Sequence, residues 1–241
     1  MSEKVKNFFD TYAPVYKKQR NFEEELSNIL EMNKLVSFLN IPAGSKVIEL
    51  GCGVGRCALP LLKKGYSVTG IEISKDSLSL LIERAKEKGL AERLTAKESN
   101  LNEPIYTEVF DAALCISALH LLADTPEGRK KIFANLVASV KRGGIVTVVQ
   151  PNPLNPLFYI YYLFSDMASW QLERRIMKYG LFSLKKLLSE SGLKEIKYDY
   201  YGMLPTRWAN IFPFIYHINA FLCKIPVVRR FSAFIFIKGV R

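Results

Sequence analysis

The sequence predicts an α/β fold: a doubly wound, seven-stranded, mostly parallel sheet with two insertions acting as lids at one end. Three observations predict it. Short apolar runs at 47–50, 66–71, 110–116 and 145–150 alternate with segments whose apolar residues recur at helical spacing, as buried parallel strands and crossover helices do. The first run is closed by a turn with glycines at 51, 53 and 55, and a second strand follows within one helix's length. At 241 residues and 49% hydrophobic content the chain can bury one large core, so 1–241 is read as a single domain.

The elements follow in chain order. From Phe22 to Asn40, Leu26, Ile29, Leu30, Leu35, Val36 and Leu39 recur at helical spacing, with Glu23 to Glu25 expected in the first turn, where the helix dipole favours acids. Val47–Leu50 is the first strand, and a helix is expected to start near Gly55. Tyr66–Ile71 is the second strand and ends at Glu72. Lys75–Lys88 reads as a helix stopped by Gly89, and Arg93–Lys97 as a third strand. Phe110–Ile116 is a fourth strand, buried on both faces. Then come a helix over Arg129–Val140, a glycine turn at Lys141–Gly144 and a fifth strand, Ile145–Gln150.

After Gln150 the alternation breaks. Residues 151–180 carry three prolines and many aromatics, and form the first insertion. Regularity returns with Ser183 capping a helix to Ser191 and a strand over Leu193–Tyr201. A second insertion spans 202–230, and Ser232–Lys238 is the last strand. Both insertions leave carboxyl ends of strands, provided the sixth strand is parallel to the others, so both are expected on the ligand side.

The turn Gly51–Gly55 reads as a nucleotide-cofactor site. Glycines let the backbone turn sharply and approach a ligand with no Cβ in the way, and the following helix points unpaired amides at the turn. Glu72, seventeen residues after Gly55, is placed to accept the hydroxyls of a ribose. The dinucleotide fingerprint fits less well, because Arg56 stands where its third glycine belongs. In an open α/β sheet the ligand lies where strand order reverses, here between the first and fourth strands, so Ser117–His120 should face the glycine turn. His120, one of two histidines, can take a proton from an acceptor hydroxyl or simply hold its own loop by hydrogen bonding.

The runs ELGCGVGR and IEIS resemble the first two motifs of the class I S-adenosylmethionine-dependent methyltransferases, small-molecule type, similar to those of quinone biosynthesis. The resemblance continues through Phe110–Asp111 and Lys141–Gly144 to Phe236, about three quarters of the chain. It implies a Rossmann-like methyltransferase domain, S-adenosylmethionine as cofactor, and a glycine turn against the methionine end. The implied cofactor-binding residues are Glu49, Gly51, Cys52, Gly53, Gly55, Glu72, Ile73, Ser99, Asn100 and Cys115. Glu98, Ser99 and Asn100 depart from the family's usual glycine–aspartate pair at the adenine, and Ser99 and Asn100 are favoured over a solvated loop. Residues 1–40 form an N-terminal lid and helix in this reading. Tyr12, Pro14 and Tyr16 resemble the family's lid; Tyr16 is a catalytic candidate beside His120, or the segment only anchors the terminus.

Composition narrows the partners. A net charge of +11 and a pI near 9.4 point to acidic ones. In the insertions Arg174, Arg175, Lys178, Arg207, Lys224, Arg229 and Arg230 face only Asp166 and Glu173. These cations accompany Phe158, Tyr159, Tyr161, Tyr162, Phe164, Trp170, Trp208, Phe212, Phe214, Tyr216 and Phe221, which either line an apolar acceptor pocket or fill a lid core. The expected acceptor is a small, hydrophobic or amphiphilic, lipid-like or anionic molecule, with peripheral contact to a membrane surface. Ala209–Cys223 is uncharged but shorter than the ~20 residues of a membrane span, and Pro213 interrupts it. Spread charges and unmixed aromatic runs argue against nucleic acid, leaving RNA methylation and a noncatalytic partner subunit as alternatives. Four cysteines without a CxxC pair read as reduced core thiols, and no metal site is expected. With no apolar core of signal-peptide length near the start, a cytoplasmic location is expected, including the inner face of the membrane.

Overall fold

The structure, a computed structural model, describes residues 3–18, 24–99, 102, 106–164, 174–204, 208 and 210–241; the side chains of 3–4, 12–14, 16–18 and 161–164 lie outside this set. Seven strands form one sheet: β1 Lys46–Leu50, β2 Ser67–Glu72, β3 Leu94–Glu98, β4 Phe110–Ile116, β5 Val140–Pro151, β6 Lys194–Tyr201 and β7 Phe234–Val240. The helices are α1 Glu3–Lys18, α2 Leu26–Leu39, α3 Ala58–Lys63, α4 Lys75–Glu87, α5 Pro126–Ser139, α6 Pro156–Phe164, α7 Leu181–Glu190 and α8 Phe214–Leu222.

Strand order is β3-β2-β1-β4-β5-β7-β6. The first five strands are mutually parallel, and β7 runs antiparallel between β5 and β6. Because β6 and β5 both oppose β7, they point the same way. Both insertions therefore leave the sheet at the end where β1 and β4 finish.

The alternation of side chains along each strand makes two cores. On one face Ile48, Leu50, Ala113, Cys115, Val146 and Val148 pack against Ile132, Phe133 and Leu136 of α5 and Leu184 and Leu188 of α7. On the other, Val47, Val68, Ala112, Leu114 and Phe236 meet Met32, Leu35 and Leu39 of α2, with Leu59 and Leu62 of α3 and Leu81 of α4. Each of the valine, leucine, isoleucine, methionine and phenylalanine side chains buried contributes ~1.5–3 kcal/mol before chain entropy is set against it.

Four local expectations change. Helix α2 begins at Leu26 with Glu25 as its N-cap residue, so Glu24 and Glu25 precede the first turn rather than occupying it, and Glu23 lies outside the described residues. The carboxylate of Glu25 accepts instead from Asn210 Nδ2 at 2.9 Å, a tie to the second insertion. The helix after the glycine turn starts at Ala58, not near Gly55, because positive φ at Gly53 (50°) and Gly55 (94°) holds the chain out of helical geometry. Lys141–Gly144 is a bulge inside β5: Val140 pairs with Phe110 and Ile145 with Ala112. Its Gly143 donates to the Arg241 carbonyl at 2.8 Å. Finally, Ser183 does not cap α7; the helix starts at Leu181 behind Gly180, in step with the buried pair Leu184 and Leu188.

Candidate functional site

Strand order reverses between β1 and β4, and the glycine turn occupies that point. The turn's glycines differ in what surrounds them. A Cβ on Gly51 would stand 2.7 Å from Ala118 Cβ, and one on Gly55 would stand 2.5 Å from Leu81 Cδ1. On Gly53 it would meet nothing within 4 Å. Gly51 and Gly55 are thus small so that the turn can pack, whereas the space over Gly53 is open to a ligand.

Glu72 stands across from Gly53. Its Oε2 accepts from Gly53 N at 2.9 Å, and its Oε1 from Ile73 N at 2.8 Å and Ser74 N at 3.0 Å. A carboxylate offers about four lone-pair positions, so the backbone uses most of them, and a ligand hydroxyl must take what is left or displace Gly53 N–H. Glu72 is 6% exposed. Burial raises its pKa, the three N–H donors oppose the rise, and the nearby Asp10 carboxylate adds to it. Asp10 reaches the site from α1, accepting from Ser74 Oγ at 2.5 Å, while α1 packs on α4. Nothing in the sequence marked Asp10; its one signal is a lone acid between Phe8, Phe9 and Tyr12.

Beneath the turn lies a second carboxyl. Glu49 is 3% exposed, and burial pushes its pKa up to about 8, with Arg56 and the Cys57 thiol pulling the other way. Its Oε2 has no hydrogen-bond partner among the described residues. Arg56, the residue that spoiled the dinucleotide fingerprint, pairs with Glu31 of α2 at 2.9 Å, and its carbonyl accepts from Asn28 Nδ2 at 3.3 Å. The turn is therefore tied to α2 by its odd residue.

The remaining expected contacts divide. Ile73 meets Glu72 through its backbone, and Ser99 N donates to the Glu72 carbonyl at 2.9 Å, so both border the site. Asn100 lies outside the described residues, as does the side chain of Tyr16. Cys52 is buried with its Sγ packed towards Gly70, leaving only its backbone to the site. The Cys115 side chain is fully buried between the sheet and α5, where burial pushes the thiol up to about 12, so the thiol serves packing and only the backbone is left to the site. His120 sits in a short 3-10 turn, Leu119–Leu121, behind the Ala118 that touches Gly51. It is 1% exposed, with Nδ1 3.3 Å from Gln150 Oε1 at the end of β5. Sequence reasoning missed Gln150, which looked like the mere end of a strand. Among the described residues no group of histidine, cysteine and acidic side chains is arranged to hold a metal.

Four of the five aromatics expected to line a pocket or fill a lid core in the second insertion do neither. Trp208 is 50% exposed, Phe212 51%, Phe214 58% and Phe221 65%, so they face outward instead of lining a pocket. Trp170 and Arg207 lie outside the described residues.

Comparison with known proteins agrees with this geometry. Residues 47–144 match a family model described as a methyltransferase domain. The ubiquinone biosynthesis O-methyltransferase of Stutzerimonas stutzeri is 30% identical over 169 residues, 69% of this chain and 67% of the relative. The enzyme of that name from Rickettsia canadensis is 22% identical over 183 residues, 73% of this chain and 75% of the relative. Among solved structures, a SAM-dependent methyltransferase of Thermotoga maritima, a possible histamine N-methyltransferase, superposes with a TM-score of 0.65 at 18% identity, covering 97% of this chain and 98% of the other. S-adenosylmethionine is the cofactor of the methyltransferases that the chain matches. The chain belongs to the class I S-adenosylmethionine-dependent methyltransferases.

Proposed function

We propose that this methyltransferase acts on a small amphiphilic acceptor, on an oxygen atom, while resting against a membrane surface. The observation that carries the reading is the site itself: an open cradle over Gly53, faced by Glu72, at the sheet end from which both insertions emerge. When bound, the cofactor supplies an electrophilic methyl group for in-line displacement. What the chain contributes is position. Glu72 and the Gly51–Gly55 turn hold the ribose and methionine ends, and the insertions at 151–180 and 202–230 with α1 cover the acceptor and exclude water.

An oxygen acceptor with a proton to lose needs a base, and His120 fills that role. Its Nδ1 lies 3.3 Å from Gln150 Oε1 at the end of β5, a contact that orients the ring. His120 is buried, so the acceptor reaches it when the cover shifts. The relatives' names support an oxygen acceptor, and the exposed aromatic surface beside Lys224, Arg229 and Arg230 supports an amphiphile met at an anionic interface. No described helix is long and apolar enough to cross a membrane.

The test is methyl incorporation from labelled cofactor into phenols with alkyl tails of increasing length. The expected result is a kcat/KM that rises with tail length, and a His120→Gln variant slowed ~10²–10⁴-fold with cofactor affinity unchanged. Rates indifferent to tail length would sink the amphiphile reading; an unslowed variant would remove His120 as base.

A further inference from the structure

A groove of about 650 Å³ opens between α2, β6 and α8. Its lining includes Lys34 from α2, Asp199 and Tyr201 from β6, Tyr216 from α8, and Lys224 and Arg229 just beyond α8. None belongs to the glycine turn, to Ser117–His120 or to the end of β2. Along the sheet, β6 is separated from β1 by β4, β5 and β7. At ~4.8 Å per strand the two lie ~19 Å apart. The groove lies apart from the cofactor turn along the sheet, and shares with it the helix α2, whose Asn28 and Glu31 hold Arg56.

Its charge is unbalanced in a specific way. Asp199 accepts at both oxygens: Oδ2 from Lys34, which balances its charge, and Oδ1 from Tyr200 N at 2.9 Å. Lys224 and Arg229 have no acidic partner among the described residues. From Gly202 to Arg241 the sequence contains no Asp or Glu at all. An Arg and a Lys beside tyrosine hydroxyls form a donor-rich wall that suits a group with several acceptor oxygens and a net negative charge.

Helix α8 adds the second half. Helical spacing puts Tyr216, Asn219, Ala220 and Cys223 on the groove side, and Phe214, Ile218 and Phe221 on the opposite side. That outer face is 58%, 39% and 65% exposed at the three residues, and Val227 at 67% and Phe231 at 42% continue it. The inner wall is held by Asn219, whose Oδ1 accepts from Met203 N at 2.8 Å and Leu204 N at 2.7 Å. One helix thus separates an apolar exposed surface from a cationic groove.

We propose that this groove is a second ligand site, distinct from the methyl-transfer cleft, that binds the phosphate group of an amphiphile presented where the outer face of α8 meets a bilayer. The proposal rests on the surface-contact reading, and the experiment separates the two. Three proteins are compared: wild type, Lys224→Gln/Arg229→Gln, and Phe214→Ser/Phe221→Ser, each required to keep wild-type cofactor affinity as proof of folding. Each is titrated with sn-glycerol 3-phosphate by calorimetry. Each is also sedimented with phosphatidylcholine vesicles made anionic either by phosphatidylglycerol or by the same charge of oleate.

Wild type is expected to bind glycerol phosphate saturably and to prefer phosphatidylglycerol over oleate vesicles. The Lys224/Arg229 variant should bind glycerol phosphate ~10-fold or more weakly and lose that preference. The Phe214/Phe221 variant should bind glycerol phosphate as wild type does and leave the vesicles. Saturable glycerol phosphate binding that the Lys224/Arg229 variant loses, without any vesicle sedimentation, would assign the groove to a free phosphate ester and overturn its lipid source and the contact reading. No saturable binding, with equal sedimentation on both anionic vesicles, would overturn the groove as a site and leave the contact reading standing. Binding unchanged in the Lys224/Arg229 variant would likewise overturn it.

Discussion

The stretch from Lys46 to Ser74 and the stretch from Trp208 to Phe231 are both rich in apolar residues, yet the structure treats them oppositely. In the first, Val47, Ile48, Leu50 and Ile71 are all 2% exposed or less. In the second, Trp208, Ile211, Phe221 and Val227 are exposed by 50%, 71%, 65% and 67%. The difference is one of pattern, not composition. Alternation at strand period, flanked by parallel neighbours on both sides, leaves a side chain nowhere to go but into one core or the other. The short helix α8 has only one side to pack, so its outer stripe stays in contact with whatever lies outside. Buried apolar residues near the turn build the site; exposed ones in the insertion advertise a surface.

That comparison can be broken at the buried end first. Glu49 is a carboxyl whose folded pKa, about 8, lies above its ordinary value of 4.5. Below pH 4.5 both states are protonated and the group contributes no penalty; between 4.5 and 8 the unfolded chain ionises while the folded one stays protonated, so stability falls, and the loss is complete above 8. Over that window the loss is on the order of 5 kcal/mol. Urea unfolding of the cofactor-free protein from pH 4 to 9 should show this decline, and Glu49→Gln should flatten it. A variant whose slope equals that of wild type would mean that Glu49 is not the group buried without compensation.

The next effect separates two glycines of one turn. Gly55→Ala places a Cβ against Leu81 at a φ of 94°, and should cost ~2–4 kcal/mol from overpacking and left-handed strain. Gly53→Ala meets open space at a φ of 50°, and should cost ~1 kcal/mol of stability. Its larger effect should be on cofactor affinity, read by calorimetry. Equal stability losses at the two positions would show that the space over Gly53 is not the ligand's.

The smallest effect belongs to the exposed region. Phe221→Ser on the outer face of α8 should change the unfolding free energy by less than ~0.5 kcal/mol, because little of its side chain leaves water on folding. A loss as large as that of a core phenylalanine would place Phe221 in a packed contact and remove the surface reading of α8.

The chain announced much of this in advance. Strand β4 was legible to the residue, Phe110–Ile116, because Ala112–Ile116 is an unbroken apolar run that stops at Ser117 and has no charge after Asp111. The ends that shifted were those governed by distant partners. Ser183 has the side chain of a cap, but the start of α7 is dictated by where Leu184 and Leu188 must meet the sheet. Lys141–Gly144 has the composition of a turn, and became a bulge because the strand pairs with β4 on both sides of it, and with β7 from Ile145 on.

What the sequence by itself determined is the local chemistry: three glycines, an acid seventeen residues on, and the alternating elements that bring them to the reversal point of the sheet. These are set by backbone sterics and hydrophobic period, which act over a few residues at a time. Only the tertiary structure decided that Glu72 already spends most of its acceptor capacity on Gly53, Ile73 and Ser74, that Asp10 arrives beside it from α1, and that Gln150 meets His120. It also decided that Trp208, Phe212, Phe214 and Phe221 face outward while Tyr216 turns to the groove. Each of these depends on contacts between segments far apart in the chain, and no local preference encodes which distant side chain will be there to meet.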